Sequence, residues 1–328
     1  MSASVCTRPS WQSAVVGAEQ TMDVQTTTVA VVIPTLNAAK MWPEFHRALA
    51  AQSLRTKRIL VVDSSSVDGT PELVRAAGYE VISIPRANFN HGGTRQLAVD
   101  LLEDVEAIVF LTQDAVLANS ESLLKLVASL KDRQVGAAYG RQLPRPGATP
   151  IEAHARLFNY PPAPQVRDLS SRNHLGFKSV FISNSFAAYR RDALVSVGGF
   201  PDDVIFGEDT ITAAKLLKSG WKIAYVADSA AHHSHSYTCS QEFKRYFDIG
   251  VLHSREPWLL HEFGQTGSEG RRFVLSELSY LWPRYWWLIP SAFIRTLLKL
   301  LGYRLGRRER RLKSSTKRRL SMQPSFWP

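Results

Sequence analysis

The chain predicts an α/β fold, a mixed and mainly parallel sheet with helices on both faces. Three observations carry this expectation. Short continuous apolar runs rich in Val and Ile recur through the first third of the sequence. Stretches of helical character, about ten residues each, separate them, as a covered parallel sheet requires. The unusual polar clusters of the first half all fall just after the apolar runs, where ligands of such sheets sit.

VAVVIP (29–34) is the first run, followed by TLN and a helical pattern from about Ala39 to Ala51. RILVVD (58–63) is the second. After SSSVDG, Thr70 is placed to cap a helix with Pro71 at its first position, where a missing N–H costs nothing. EVISIP (80–85) is the third strand, GGTRQLAVDLLED a helix, and AIVFLT (107–112) the fourth strand. Further on, KSVFISNSFAAYRRDAL (178–194) holds a strand passing into a helix, and GEDT (207–210) leads into a helix from about Ile211. KIAYVADSAAHHSHSYT holds a strand that ends among histidines. This half has no βαβ rhythm of its own and is expected to complete the same sheet.

At 328 residues and 45% hydrophobic, the chain suits one large domain or one domain with an appendage. Cys6 and Cys239 are the only cysteines, which rules out a disulfide framework and fits a reducing compartment. Residues 1–27 read as a poorly ordered leader without a secretory pattern. Neither GxGxxG after the first strand nor a Walker loop is present, which disfavours dinucleotide dehydrogenases and P-loop NTPases. The net charge of +11 is concentrated near the C-terminus, where 304–319 holds nine basic residues and one acid, Glu309.

The segment before that run, ELSYLWPRYWWLIPSAFIRTLLKLLGYRL, has no uncharged stretch near the roughly 20 residues of a membrane span. From Ser291 on, Phe293, Ile294, Leu297, Leu298, Leu300 and Leu301 form an apolar face, with Arg295 and Lys299 on the other side. An aromatic amphipathic helix followed by a basic cluster reads as an interfacial membrane anchor. Docking onto the protein's own core and nucleic-acid binding are the weaker readings.

Four clusters could carry chemistry. Asp63, at a strand tip, is placed to accept from the N3–H of uracil or thymine, and Ser65 and the loop N–H groups to serve a ribose. Asp68 could instead form a local Asx turn. FNHGGTR (89–95) opens a helix with Gly92 and Gly93, so a diphosphate is a reasonable guest with Arg95 as counter-charge; an incidental Gly-Gly turn is the bland alternative. Glu208 and Asp209 could simply complement a helix dipole, or Asp209 could be a general base with Glu208 orienting the loop. In HHSHS, His233 and His235 share one face of an extended chain and could join Asp114 on a divalent cation. A zinc site with Cys239 is the other option.

PTLN, VVDSSSVDGT, FNHGGTRQLA, FLTQDA, ISNSFAAYRRDAL, GEDT and HSHSYT together resemble the bacterial rhamnosyltransferases of glycosyltransferase family 2. The resemblance covers about 28–255, with a nucleotide-binding half (28–115) and an acceptor and catalytic half (116–255); 256–328 would be the membrane-associating region. It implies a GT-A fold, a dTDP-L-rhamnose donor and inversion by single displacement. Donor contacts would come from Pro34, Thr35, Asn37, Asp63, Ser65, Asp68, His91, Gly92, Gly93, Arg95, Gln113 and Asp114. Asp114, His233 and His235 would hold Mg²⁺ or Mn²⁺, and Asp209 would deprotonate the acceptor with Glu208 beside it. Gln113 would lie by the donor as a neutral hydrogen-bonding group. The expected acceptor is a glycan on an undecaprenyl diphosphate carrier, met at the cytoplasmic face of the inner membrane, with no nucleic-acid partner and a homodimer left open. A UDP- or GDP-sugar transferase, or a degenerate scaffold in a polysaccharide assembly complex, are the alternatives.

Overall fold

The computed structural model describes residues 27–264 and 267–328. The expected leader therefore lies outside the described residues, apart from Thr27. Nine strands form one sheet: β1 (Val29–Thr35), β2 (Arg58–Asp63), β3 (Glu80–Ser83), β4 (Ala107–Leu111), β5 (Val116–Leu117), β6 (Val135–Leu143), β7 (Gln165–Arg167), β8 (Phe186–Arg190) and β9 (Lys222–His232). Their order is β3-β2-β1-β4-β8-β6-β9-β5, with β7 also on β9. The first four strands pair in parallel, β8 runs antiparallel between β4 and β6, and β6 and β9 are parallel. It follows that the C-terminal ends of β1, β2, β4, β6 and β9 lie along one edge, together with the residues that lead into β8.

Alternation within each strand divides the core into two layers. Ala30, Val32, Ile108 and Phe110 face one layer, packed under the helices His91–Asp100 and Glu208–Lys218. Val29, Val31, Val109 and Leu111 face the other, under Trp42–Ala50, Thr70–Ala76 and Ser122–Ala128. Burial of both faces is why these strands read as continuous apolar runs.

Strand β6 was not legible in sequence. Its run VGAAYGRQL is poor in β-branched residues because the neighbours leave no room. A Cβ on Gly140 would stand 2.3 Å from the Phe186 ring, at a register shift in the β6–β9 ladder. Two helix expectations need correction. Thr70 does not cap its helix; Gly69, at φ +85°, holds that position, and the Thr70 hydroxyl joins Ala38 N–H to Asp68. The helix expected from Ile211 starts three residues earlier, at Glu208, because Gly207 at φ +83° turns the chain into it.

The C-terminal region folds back as helices. Ile289–Gly306 lies along Cys239–Arg255 so closely that a Cβ on Gly302 would reach the Phe243 carbonyl oxygen at 2.3 Å, and one on Gly250 the Tyr303 oxygen at 2.3 Å. Arg295 and Lys299 face inward onto Glu242. The apolar side is turned out: Phe293 is 70% exposed and Trp282, on the preceding helix Gly267–Tyr285, 72%. Among the described residues no helix is long and apolar enough to cross a membrane. The basic run is partly folded too, since Glu309 is buried and pairs with Arg255 and Lys317.

Candidate active site

Two loops at the C-terminal edge are knitted into one unit. Asp63 is fully buried rather than open at the tip. Its Oδ1 accepts from Thr35 Oγ1 (2.9 Å) and Ser66 Oγ (2.5 Å), and its Oδ2 from the Ser66 N–H (2.8 Å). Asn37 and Ser65 both adopt positive φ, at 50° and 60°. Asn37 Oδ1 accepts from the Val67 N–H, and Ser65 Oγ donates to the Ile84 carbonyl. Asp68 takes the Asx role, accepting from Thr70 and from the Ala39 N–H. Pro34 sits in the β1–β2 ladder opposite Val62. Gln113 is likewise committed, against expectation: its Oε1 accepts from Leu36 N–H (2.8 Å) and its Nε2 donates to Leu36 O (3.1 Å). The side chain continues the β1–β4 pairing where both strands have ended.

Asp114 has the partners expected of it. Pairing of Val116 with His232 across β5 and β9 brings the histidine run to Asp114. His233 Nε2 lies 3.3 Å and His235 Nδ1 3.7 Å from its Oδ2, and one donor atom from each of the three falls within 4.8 Å of the others. Cys239 is not part of this cluster, which removes the basis for a Cys-containing zinc site. Burial opposes ionisation of Asp114, but the two imidazoles and the Thr112 hydroxyl outweigh it and hold the carboxyl well below its usual range. Burial, reinforced by His233, lowers His235 to about 4, which leaves its ring uncharged at neutral pH.

The chemistry of this donor set fits a cation. Arg156 Nη1 donates to Gln142 Oε1 at 2.7 Å, and His233 Nδ1 lies 2.9 Å from the same oxygen. An oxygen facing a guanidinium can only accept, so His233 Nδ1 is the donor. In a neutral ring, Nε2 then turns a lone pair toward the Asp114 carboxylate. Opposed lone pairs need a proton or a metal between them, and one carboxylate with two imidazoles offers a divalent cation three ligands, a mixed nitrogen and oxygen set that departs from the all-oxygen preference of Mg²⁺. Arg145 completes the frame by donating to the Asp114 carbonyl at 2.7 Å.

Glu208 and Asp209 are adjacent but in different environments. Glu208 is 4% exposed and pairs with Arg95 at 3.2 Å. Burial works against its ionisation, and Arg95 and His91 more than compensate. Asp209 forms no ion pair among the described residues, and Arg95 offsets its charge only in part. Burial and the neighbouring Glu208 raise it to about 6, despite hydrogen bonds from the N–H groups of Asn184 (3.3 Å) and Thr210 (2.7 Å). Two carboxyls driven apart in this way divide into a fixed anion and a proton acceptor. Asn184 holds both, since its side-chain amide donates to Glu208 at 3.1 Å while the Tyr189 hydroxyl fixes its oxygen.

The FNHGG segment departs from the phosphate-cradle expectation. Asn90 Oδ1 accepts from the N–H groups of both Gly92 and Gly93 at 2.9 Å, so the helix start is capped from within. A Cβ on Gly92 would stand 1.7 Å from the Pro201 carbonyl oxygen, which makes this glycine a packing requirement of the 201–208 loop. Arg95 is buried against Glu208 rather than waiting for an anion. Burial, reinforced by Arg95 and only partly offset by Glu208, lowers His91 to about 4, and Gln323 Nε2 donates to its ring at 3.1 Å. The geometry therefore gives Arg95 and the glycines the task of setting Glu208.

The glycosyl transferase family 2 model matches residues 30–198. The chain belongs to glycosyltransferase family 2. It is 43% identical over 300 residues to the O-antigen chain rhamnosyltransferase RfbN of Salmonella typhimurium, covering 91% of this chain and 96% of that one. It is 42% identical to the O-antigen chain rhamnosyltransferase WbaN of Salmonella anatum, covering 90% and 95%. The mannosyltransferase PcManGT of Pyrobaculum calidifontis, solved with GDP-Man and Mn²⁺, superposes with a TM-score of 0.54 at 20% identity, covering 85% of this chain and 75% of that one. TarS 1–349 of S. aureus, solved with UDP-GlcNAc, gives 0.51 at 16%, covering 87% and 91%. These likenesses establish the family and the GT-A fold.

Sequence reading missed Gln142, Arg145, Arg156 and Asn184 as site residues of this transferase. Gln142 had no signal because β6 itself was not recognised, whereas Asn184 lies inside ISNS, a motif already singled out.

Proposed function

We propose that this family 2 transferase moves L-rhamnose from dTDP-β-L-rhamnose to a hydroxyl of a lipid-linked glycan, with inversion, during O-antigen or related surface polysaccharide assembly. The observation that carries the reading is Asp209, a partly exposed carboxyl raised to about 6 on the same sheet edge as the Asp114–His233–His235 cluster. The choice of rhamnose rests on the two O-antigen rhamnosyltransferases that share over 40% of their residues with nearly the whole chain.

In this mechanism Asp209 accepts the proton of the acceptor hydroxyl as its oxygen attacks the anomeric carbon. Asn184 and the Glu208–Arg95 pair hold Asp209 in place. Asp114, His233 and His235 would hold a divalent cation, which supplies charge neutralisation for the departing diphosphate. The loops at 34–39 and 63–68 form the rigid wall against which the nucleoside would rest. Asp63, fully buried, would shape that wall by holding Thr35 and Ser66 rather than meet the base itself.

The outward apolar face of the two C-terminal helices, beside exposed Arg304, Arg308 and Arg311, supports peripheral attachment to the anionic inner leaflet, where a lipid-linked acceptor is found. The reaction is tested with purified full-length protein, Mn²⁺, a lipid-linked glycan acceptor and a panel of dTDP-, UDP- and GDP-sugars. An α-rhamnosyl product formed from dTDP-β-L-rhamnose is expected. Preferential transfer from a UDP- or GDP-sugar would overturn the donor assignment, and a β-linked product would overturn inversion.

A further inference from the structure

The helix Ile289–Gly306 turns its apolar side outward and Arg295 inward. Arg295 Nη1 donates to the carbonyl oxygen of Tyr237 at 2.8 Å and to Glu242 Oε1 at 2.9 Å. Lys299, one turn later, approaches the second Glu242 oxygen at 3.6 Å. Tyr237 belongs to the short loop that carries the histidines. That loop is fixed at its start by the His233 N–H on the Leu143 carbonyl (3.0 Å), and at its end by the capping box of Thr238 and Gln241.

His233 is locked by Gln142, but no hydrogen bond to a described residue orients the His235 ring. Its ring is instead held by two aromatic neighbours: His233 meets it edge-on at 4.6 Å, and Tyr237 stacks on it with centroids 5.0 Å apart and planes 22° apart. We propose that Arg295 is a positioning residue of the cation site: from the amphipathic helix it pins the Tyr237 backbone, and through the Tyr237 ring it holds His235 toward Asp114. The C-terminal helices are then part of the site and not a detachable anchor. This inference rests on the cation-site reading above.

Mn²⁺ titration of the full-length protein, followed by electron paramagnetic resonance of the free ion, tests it without turnover. Loss of an outer-shell partner commonly weakens metal affinity by about 10–100-fold. Arg295→Ala is expected to fall in that range, and Arg295→Lys, which keeps a donor facing Glu242, to recover part of the loss. Tyr237→Ala keeps the carbonyl and removes only the ring, and is expected to weaken Mn²⁺ alike, which covers the case of an Arg295→Ala protein that does not fold. Thermal melts run in parallel. Arg295→Ala or Tyr237→Ala proteins with wild-type Mn²⁺ affinity, whatever their melting temperature, would overturn the proposal. Asp114→Ala with undiminished Mn²⁺ affinity would instead overturn the cation site itself.

Discussion

Gln142 Oε1 lies 2.9 Å from His233 Nδ1, and this contact decides which imidazole nitrogen faces Asp114. Gln142 cannot rotate its amide without turning N–H groups toward Arg156, so the His233 tautomer is fixed two bonds away from the carboxylate. Replacing Gln142 with Leu frees the ring to present either nitrogen. Mn²⁺ affinity is expected to fall about tenfold, the usual cost of an outer-shell partner, measured by calorimetric titration. An unchanged affinity would mean that the contact serves packing alone.

Asp209→Asn keeps the shape of the side chain and removes its basicity. A positioned general base contributes about 10²–10⁴-fold, so kcat is expected to drop by that range while donor affinity stays within a factor of two or so. In the wild type the base must be unprotonated. With Asp209 raised to about 6 by burial and Glu208, activity should decline as pH falls through about 6 and be level above it. A pH profile flat down to 4.5 would remove Asp209 from the proton transfer.

Gly92→Ala places a methyl where the Pro201 carbonyl oxygen already sits. The backbone must part, at a cost of about 1–3 kcal/mol or more for such overpacking. Because Pro201 leads into the Glu208–Asp209 turn, activity should fall further than stability alone explains. Urea unfolding and turnover measured below the transition check both halves.

Phe293→Ser, Leu297→Ser and Leu301→Ser combined remove three exposed apolar side chains from the outer face of one helix. All three side chains are exposed, by 70%, 47% and 42% respectively, so the melting temperature should fall only modestly. Co-sedimentation with vesicles containing phosphatidylglycerol should be lost. If the triple variant sediments as wild type does, this face is not the membrane contact.

Asp248 is 1% exposed, and its Oδ2 accepts from the Met322 N–H at 2.9 Å. Burial raises it to about 6. A raised carboxyl stabilises the fold fully below its unfolded pKa, near 4, and that contribution disappears as pH rises through about 6. Asp248→Asn mimics the protonated state at every pH. It should stabilise the protein by about 1–3 kcal/mol at pH 7.5, with little effect at pH 4. Melting curves across this range show whether the difference opens in that window.

How much was legible follows from how locally each feature is encoded. The parallel strands β1, β2 and β4 could be read because burial on both faces imposes a continuous apolar run. Asp114, Glu208, Asp209, His233 and His235 could be singled out because polar residues at strand and helix ends stand against an apolar background. β6 escaped because its glycines and alanines answer to Phe186 on a neighbouring strand, a constraint that no local window contains. The amphipathic pattern of 291–301 was visible, but that the apolar side faces out was decided by Glu242, fifty residues earlier, which draws Arg295 and Lys299 inward.

By itself the sequence determined the fold class and the family resemblance, and it singled out candidate residues for the site. Only the tertiary structure decided what each one faces. Gly92 and Gly93 meet Pro201, Asp202 and Asn90 instead of a free anion site, Gln113 pairs with Leu36, and Arg95 neutralises Glu208, leaving Asp209 as the member of that adjacent pair whose pKa is raised. The physical reason is that hydrogen-bond partners and counter-charges act over a few ångströms of space, and the sheet register sets those distances between residues far apart in the chain.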